Sequence, residues 1–254
     1  SPETAVASAL TAKITDPRQV SELFGVEYPH VEMPAEFTID DSMIETPLSK
    51  EDAAGVEVLR GPTIVVPEAP SLLPDELTDQ VLIKCGDKIT TDHIMPAGRY
   101  LKLRSNVPQY AKVVFDCFNE QGGQTFAERA LDRKEKGIAG VIVAGESYGQ
   151  GSSREHAALC PMYLGVRAVI AKTIERIHKA NLINFCIVPI EFADPADYDK
   201  VTTEDELVIT GLNEAIKNSD KLIITDKTGG FDFEGKLLLS QRDREILLNG
   251  GLLN

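Results

Sequence analysis

The order of apolar and polar positions divides the chain into three stretches. Residues 1–17 open with a helical pattern, in which Ser1 is the expected N-cap and Pro2 the first helical residue. Residues 18–76 are rich in Pro, Glu and Asp and have few long apolar periods, which is typical of an extended linker. In residues 77–254 short apolar runs alternate with amphipathic segments, which predicts an α/β domain, a mixed sheet with flanking helices.

Individual elements follow from the same pattern. Ser152 and Glu155 have the spacing of a capping box, which is the structural interpretation of that segment. The helix that follows is expected to stop at Pro161, and Gly229-Gly230 is expected to form a turn. The predicted strands cover 80–83, 141–144, 167–171, 185–190, 206–210 and 221–225, and the predicted helices cover 124–136, 153–159, 173–184 and 241–248.

Charge and cysteine content narrow the classes of partner. The 254 residues include 40 acidic and 26 basic side chains, for a net charge of −14. This balance disfavours general affinity for nucleic acid or anionic membranes. The four cysteines, Cys85, Cys117, Cys160 and Cys186, are widely spaced and show no metal-ligand spacing. Reduced, buried thiols in an intracellular protein are therefore favoured over disulfides.

The segment 145–159 carries the strongest chemical signal. It leads from an expected strand through a glycine-rich turn to Ser152, Ser153 and Arg154 at the expected start of a helix. Free backbone N–H groups and the helix dipole favour an anion there, and a guanidinium matches a carboxylate. A serine hydroxyl in that field is a candidate base or nucleophile. The same residues also suit an ordinary turn and helix cap, so the segment alone leaves both interpretations open.

A second polar cluster follows the first expected core strand. Asp92 and His93 are candidates for an acid/base or metal pair, although adjacent residues in an extended segment point to opposite sides. A capping or Asx turn is the alternative. Arg104 comes soon after, and a local arginine in so acidic a chain favours an anion site. His156 and His178 lie within expected helices, where a histidine is more often structural than catalytic.

Together these segments resemble the aconitase superfamily. Residues 91–104 resemble the opening segment of its C-terminal swivel domain, and residues 145–156 resemble its active-site loop. The resemblance implies an aconitase-type swivel domain over 77–254, preceded by the extended connector, and places residues 1–17 at the end of a cluster-binding region. The match continues through the segments 164–172, 176–185 and 192–199.

The resemblance also implies a reaction, the reversible dehydration and hydration of citrate and isocitrate through cis-aconitate. It implies that Ser152 removes the proton next to a carboxylate. It further implies the carboxylate binders Arg104, Ser153 and Arg154, and gives Asp92 and His93 as residues that line the site or support those that do.

Members of the family hold a [4Fe–4S] cluster on cysteines of an earlier domain, in a C…C-x-x-C set. No cysteine here has that spacing, so we expect no metal ligand in this chain. The chain is then the C-terminal portion of a larger enzyme and inactive alone. Its partners would be a tricarboxylate substrate and the N-terminal cluster-binding domains, with no membrane and no nucleic acid. The expected location is the cytoplasm, or the mitochondrial matrix in a eukaryote.

Three alternatives stay open. Small subunits of isopropylmalate or homoaconitate dehydratases share the Gly-Ser-Ser-Arg-Glu-His string, but they usually begin near the first strand of the swivel domain. The long connector and the segment 161–165 favour an aconitase instead. Methylcitrate dehydratase belongs to the same superfamily. An RNA-binding regulator is a different class, and the net charge of −14 argues against it.

Overall fold

A computed structural model describes residues 1–27, 30, 32–65 and 67–253, in two units that divide between Val58 and Leu59. In the first unit the Ser1 side chain accepts a hydrogen bond from the Thr4 N–H, which confirms the predicted N-cap. Residues 28, 29, 31 and 66 of the predicted linker lie outside the described residues, and the domain boundaries stay a prediction. The helices of this unit are α1 (Pro2–Thr11), α2 (Val20–Phe24) and α3 (Lys50–Ala54), with a 3-10 turn at Pro17–Gln19.

The second unit alternates strands and helices. Its strands are β1 (Leu77–Lys84), β2 (Ala139–Ala144), β3 (Val166–Ala171), β4 (Val188–Phe192), β5 (Glu206–Ile209), β6 (Lys221–Asp226) and β7 (Phe231–Lys236). Its helices are α4 (Thr91–Ile94), α5 (Val107–Tyr110), α6 (Phe126–Glu135), α7 (His156–Tyr163), α8 (Arg176–Asn184), α9 (Asp197–Lys200), α10 (Leu212–Asn218) and α11 (Gln241–Leu248). Short 3-10 helices lie at Gly98–Leu103, Ala111–Val113 and Asp116–Phe118.

The seven strands close into a barrel in the order β1-β2-β3-β4-β7-β6-β5. Strands β1 to β4 are parallel, while β5, β6 and β7 pair antiparallel. The barrel closes where β1 pairs antiparallel with β5, with Leu77 opposite Ile209. The predicted mixed sheet with flanking helices is confirmed. Its closure was not predicted, because pairing between distant strands leaves no mark on local periodicity.

Alternate strand residues divide between two cores, as the two-residue period of a strand requires. Val81, Val141 and Ile170 belong to the core inside the barrel. Leu82, Ile142 and Val169 belong to the core between the sheet and helices that include α5, α6, α7 and α8. This two-sided burial fixes the parallel strands and hence the loops that leave them. No helix within the described ranges is long and apolar enough to cross a bilayer.

One predicted element lies elsewhere, and one observed element was not predicted. The helix expected at 153–159 lies at His156–Tyr163, and Pro161 is inside it instead of ending it. Burial of five of its eight residues outweighs the backbone bond that a proline removes, a loss of about 3 kcal/mol in a helix interior. Strand β7 was not predicted, because polar residues alternate along it and leave no continuous apolar run.

Candidate active site

Three loops meet at the carboxyl ends of β1, β2 and β3, and the loop 145–155, here called the serine loop, lies between the other two. The N–H groups of Gly149 and Gln150 donate to the carbonyl of Ile89 at 2.7 and 3.1 Å. On the opposite side the Tyr148 N–H donates to the carbonyl of Thr173 at 3.0 Å, and the Glu175 N–H donates to the carbonyl of Tyr148 at 2.9 Å. The loop is therefore held from both sides, which fixes the segment that follows it.

Two glycines allow the loop to pass close to its neighbours. Gly149 has a φ of +83°, and a Cβ at this position would lie 2.2 Å from Cγ of His178. A Cβ at Gly145 would lie 2.0 Å from a carboxylate oxygen of Asp87. Neither approach tolerates a side chain, so the geometry of the loop requires glycine at both positions for steric reasons, and at Gly149 also for its positive φ.

The serines do not cap a helix. Helix α7 begins at His156 with Glu155 as its N-cap, and no side chain caps it, so the predicted capping box of Ser152 and Glu155 is wrong. The positive-φ glycines extend the loop past the serines and delay the helix. Within the described residues, the hydroxyls of Ser152 and Ser153 have no hydrogen-bond partner, and the N–H groups of Ser152, Ser153 and Glu155 donate to no acceptor. These donors suit an anion.

Arg154 joins this loop to α4. Its Nη2 donates to Oδ2 of Asp92 at 3.0 Å, while Nη1 donates to the other carboxylate oxygen and, at 3.4 Å, to the carbonyl of Met95. The hydrogen bond from Arg154 lowers the pKa of the Asp92 carboxyl. These bonds use three of the five guanidinium hydrogens, so the hydrogen on Nε and one hydrogen on Nη2 stay available as donors. The arginine is thus oriented by an acidic residue and still has donors for a second carboxylate.

Arg104 lies beside the start of α7. Its carbonyl is 2.9 Å from Nε2 of His156, whose ring packs on Tyr110 with 5.3 Å between centroids. The Arg104 side chain is exposed and makes no hydrogen bond or ion pair within the described ranges. The structure therefore brings the backbone of Arg104 to the start of α7, directly after the serine loop, although about fifty positions separate them in sequence.

His93 is tied to its own helix. Its Nδ1 accepts a hydrogen bond from the Thr90 N–H at 3.0 Å, and the Thr90 hydroxyl accepts one from the His93 N–H at 3.2 Å. Together these bonds form a capping box at the start of α4, as the alternative interpretation of this segment predicted. The helical conformation replaces the extended one from which Asp92 and His93 were judged poor partners. A role for His93 in lining the site stays a prediction.

A small cleft lies between the serine loop and α8. Its lining includes Ser152, Ser153 and Arg154 from the loop and His178 and Asn181 from α8. The cleft has room for about one water molecule and is therefore too small to hold a substrate by itself. The sequence interpretation of His178 as a satisfied structural residue missed its position here. One indication of a role for His178 was present in the sequence, since it lies in the segment 176–185 that resembles the family.

The cysteines do not fit an iron–sulfur cluster. Over the residues that the structure describes, no group of three or more His, Cys, Asp or Glu side chains is placed to hold a metal ion. Burial raises the pKa of the thiols of Cys85 and Cys160 to about 12 and that of Cys186 to about 11. Cluster ligands are thiolates, which such environments disfavour. Cys117 is exposed, but no second cysteine joins it at the surface within the described ranges.

Comparison with known proteins identifies the domain. The family model for the aconitase C-terminal domain matches residues 92–195. A probable mitochondrial aconitate hydratase of Dictyostelium discoideum is 37% identical over 188 residues, which cover 68% of this chain and 24% of that protein. One from Caenorhabditis elegans is 38% identical over 181 residues, 66% of this chain and 23% of the relative. The chain thus spans about a quarter of the length of these curated relatives.

A solved structure is also similar. The 3-isopropylmalate dehydratase leuD of Methanocaldococcus jannaschii superposes with a TM-score of 0.53 at 28% identity. The match covers 70% of this chain and 91% of that one. The chain therefore shares its fold, over 70% of its length, with a dehydratase of known structure.

Proposed function

The chain belongs to the aconitase superfamily, of which it carries the C-terminal domain, and we propose that it forms one wall of the active site of a hydro-lyase. The reaction is the interconversion of citrate and isocitrate through cis-aconitate. Two contacts carry this proposal. The Arg154–Asp92 ion pair joins the serine loop to α4, and the His156–Arg104 hydrogen bond holds Arg104 beside the residue that follows the loop.

Each residue has a distinct part in this proposal. Ser152 takes the proton from the carbon next to a substrate carboxylate, and the free N–H groups of the loop stabilise the charge on its oxygen. Ser153 and Arg154 bind one carboxylate, and the exposed guanidinium of Arg104 binds another. Asp92 orients Arg154, and His93 lines the wall. Removing a weakly acidic C–H proton requires both the base and fixed positive charge near the product carbanion.

The proposed enzyme would also hold a [4Fe–4S] cluster, which would supply Lewis-acid chemistry toward the substrate. The cysteines described above do not fit that cluster. We therefore assign its ligands to cluster-binding domains of the same enzyme, which are the proposed protein partner. Without those domains the chain should neither hold a cluster nor catalyse the reaction. A mitochondrial location, as in the names of the curated relatives, is proposed for a eukaryotic source.

The test uses the complete enzyme with its cluster reconstituted. Formation of cis-aconitate from citrate and from isocitrate is followed by ultraviolet absorbance, in wild type and in Ser152→Ala. Turnover in wild type and its loss in the variant support the proposal. Absence of turnover with both substrates in a fully loaded enzyme refutes it. As a second arm, this chain alone is treated with iron and sulfide, and a stable cluster with turnover would contradict the assignment of the ligands to other domains.

One alternative has support from a specific observation. The similarity to leuD favours a small subunit of an isopropylmalate or homoaconitate dehydratase. The same assay distinguishes these readings when isopropylmalate, homocitrate and methylcitrate are offered beside citrate, because the preferred substrate has the highest kcat/KM.

A further inference from the structure

His178 lines the cleft beside the serine loop, but the proposed reaction gives it no part. It lies on α8 with 2% of its surface exposed, and within the described residues neither Nδ1 nor Nε2 has a hydrogen-bond partner. Buried polar groups are nearly always hydrogen-bonded, so each exception calls for a physical reason. A hydrocarbon side chain would fill the same space without this cost.

The position of the ring supplies that reason. His178 lines the same cleft as Ser152 and Ser153, and the cleft has room for about one water molecule. The backbone of Gly149 lies against the Cβ–Cγ–Cδ2 side of the ring, where a Cβ would come within 2.5 Å of all three atoms. The aromatic ring of Tyr148 packs edge-on at 5.2 Å between centroids. The imidazole is thus held in place by atoms that form no hydrogen bond with it.

The His178 ring can hydrogen-bond to a water molecule that also contacts a serine hydroxyl. Burial lowers the pKa of His178 to about 4, so the ring is neutral at pH 7 and carries one N–H donor and one acceptor nitrogen. A water molecule in a cleft needs two or more polar partners, and the serine hydroxyls offer the second.

We propose that His178 is a positioning residue, which holds one water molecule in the cleft and through it orients the hydroxyl of Ser152. The catalytic effect of His178 rests on the proposed function, whereas the water site itself does not depend on it. No bond is made or broken at His178, since the ring only donates or accepts a hydrogen bond. Asn181, three positions along α8, also lines the cleft.

The kinetic test compares His178→Phe, which keeps an aromatic ring without nitrogen, with His178→Gln, which keeps a hydrogen-bonding end. In the complete, cluster-loaded enzyme, His178→Phe should lower kcat about 10- to 100-fold with KM changed by less than about twofold. His178→Gln should recover part of this loss.

Tyr148→Phe is the matched control. Its hydroxyl is also buried without a partner within the described ranges, and it touches the His178 ring without lining the cleft. It should leave kcat unchanged. Wild-type kcat in a folded His178→Phe variant, or an equal loss in Tyr148→Phe, would overturn the proposal.

A structural readout separates this inference from the proposed function. A crystal structure of this chain at high resolution should show an ordered water about 3 Å from a ring nitrogen of His178 and from a serine hydroxyl. A well-defined cleft without that water would overturn the inference even if the enzyme is active. Its presence in a protein that proves inactive on citrate would refute the proposed function alone.

Discussion

Replacement of Gly149 by alanine tests the packing that underlies the serine loop. Gly149 has a φ of +83°, and a Cβ there would lie 2.2 Å from Cγ of the buried His178 ring. Gly211 is the matched control, because its φ is +66° and a Cβ would meet nothing within 4 Å. The two substitutions share the backbone penalty, and only Gly149→Ala adds a steric contact.

The magnitudes follow from these two terms. A left-handed backbone costs an alanine about 1–2 kcal/mol, which is the expected loss for Gly211→Ala. Overpacking a well-filled site costs typically about 1–3 kcal/mol, so Gly149→Ala should lose about 2–5 kcal/mol in all. The His178 ring cannot move aside cheaply, since Tyr148 and the core behind it are also buried.

Urea unfolding of this chain, followed by circular dichroism, measures the free energy of unfolding for both variants at comparable m-values. Removing the ring by His178→Ala in the Gly149→Ala background should recover the overpacking part, which appears as a coupling between the two sites. Equal losses for Gly149→Ala and Gly211→Ala, or no coupling with His178→Ala, would refute the argument that this contact requires glycine.

Three further predictions concern the site and the barrel. Ser152→Ala should change the free energy of unfolding by less than about 0.5 kcal/mol, because the Ser152 hydroxyl has no hydrogen-bond partner within the described residues. The same substitution should abolish kcat of the complete enzyme. A loss of stability of about 1 kcal/mol would instead indicate that Ser152 caps a helix. Arg104→Lys and Arg154→Lys should each weaken citrate binding to the complete enzyme by about 1.5–3 kcal/mol in calorimetric titration, and wild-type affinity in both would make these arginines structural. Burial raises the pKa of Asp79 to about 7 against a weaker opposing effect of Arg167, so the folded state holds a proton that the unfolded state releases near pH 4. The free energy of unfolding should therefore fall as pH rises from about 4 to 7, by up to about 1.4 kcal/mol per pH unit. Asp79→Asn should remove this slope in urea titrations, and an identical slope in the variant would contradict the prediction.

Local patterns predicted the elements of the parallel half well. The runs at 80–83, 141–144 and 167–171 each lie within an observed strand or match one closely, because both faces of these strands are buried. The start of α7 was misplaced since a rule for capping boxes does not account for two positive-φ glycines immediately before the serines. The antiparallel strand β7 was missed because its alternating polar residues give a weak signal.

The site could be predicted only in part. The residue types and their order along the chain indicated the serine loop, but the partners came from the fold. The ion pair of Arg154 with Asp92 joins residues about sixty positions apart, and the bond from His156 to the Arg104 carbonyl involves a backbone atom, which no side-chain pattern indicates. The unpartnered nitrogens of His178 depend on burial, and burial depends on the packing of α8 against the loop.

Closure of the barrel sets an order of events during protein synthesis. Of the seven strands β1 is made first, yet its antiparallel neighbour β5 is made only after β2, β3 and β4. Strand β4 likewise waits for β7. Until then the growing sheet has two open edges, which are the surfaces through which partly folded chains aggregate. The growing sheet is therefore most open to edge-to-edge association between the completion of β4 and the arrival of β7, and the closed barrel has no open edge left to offer.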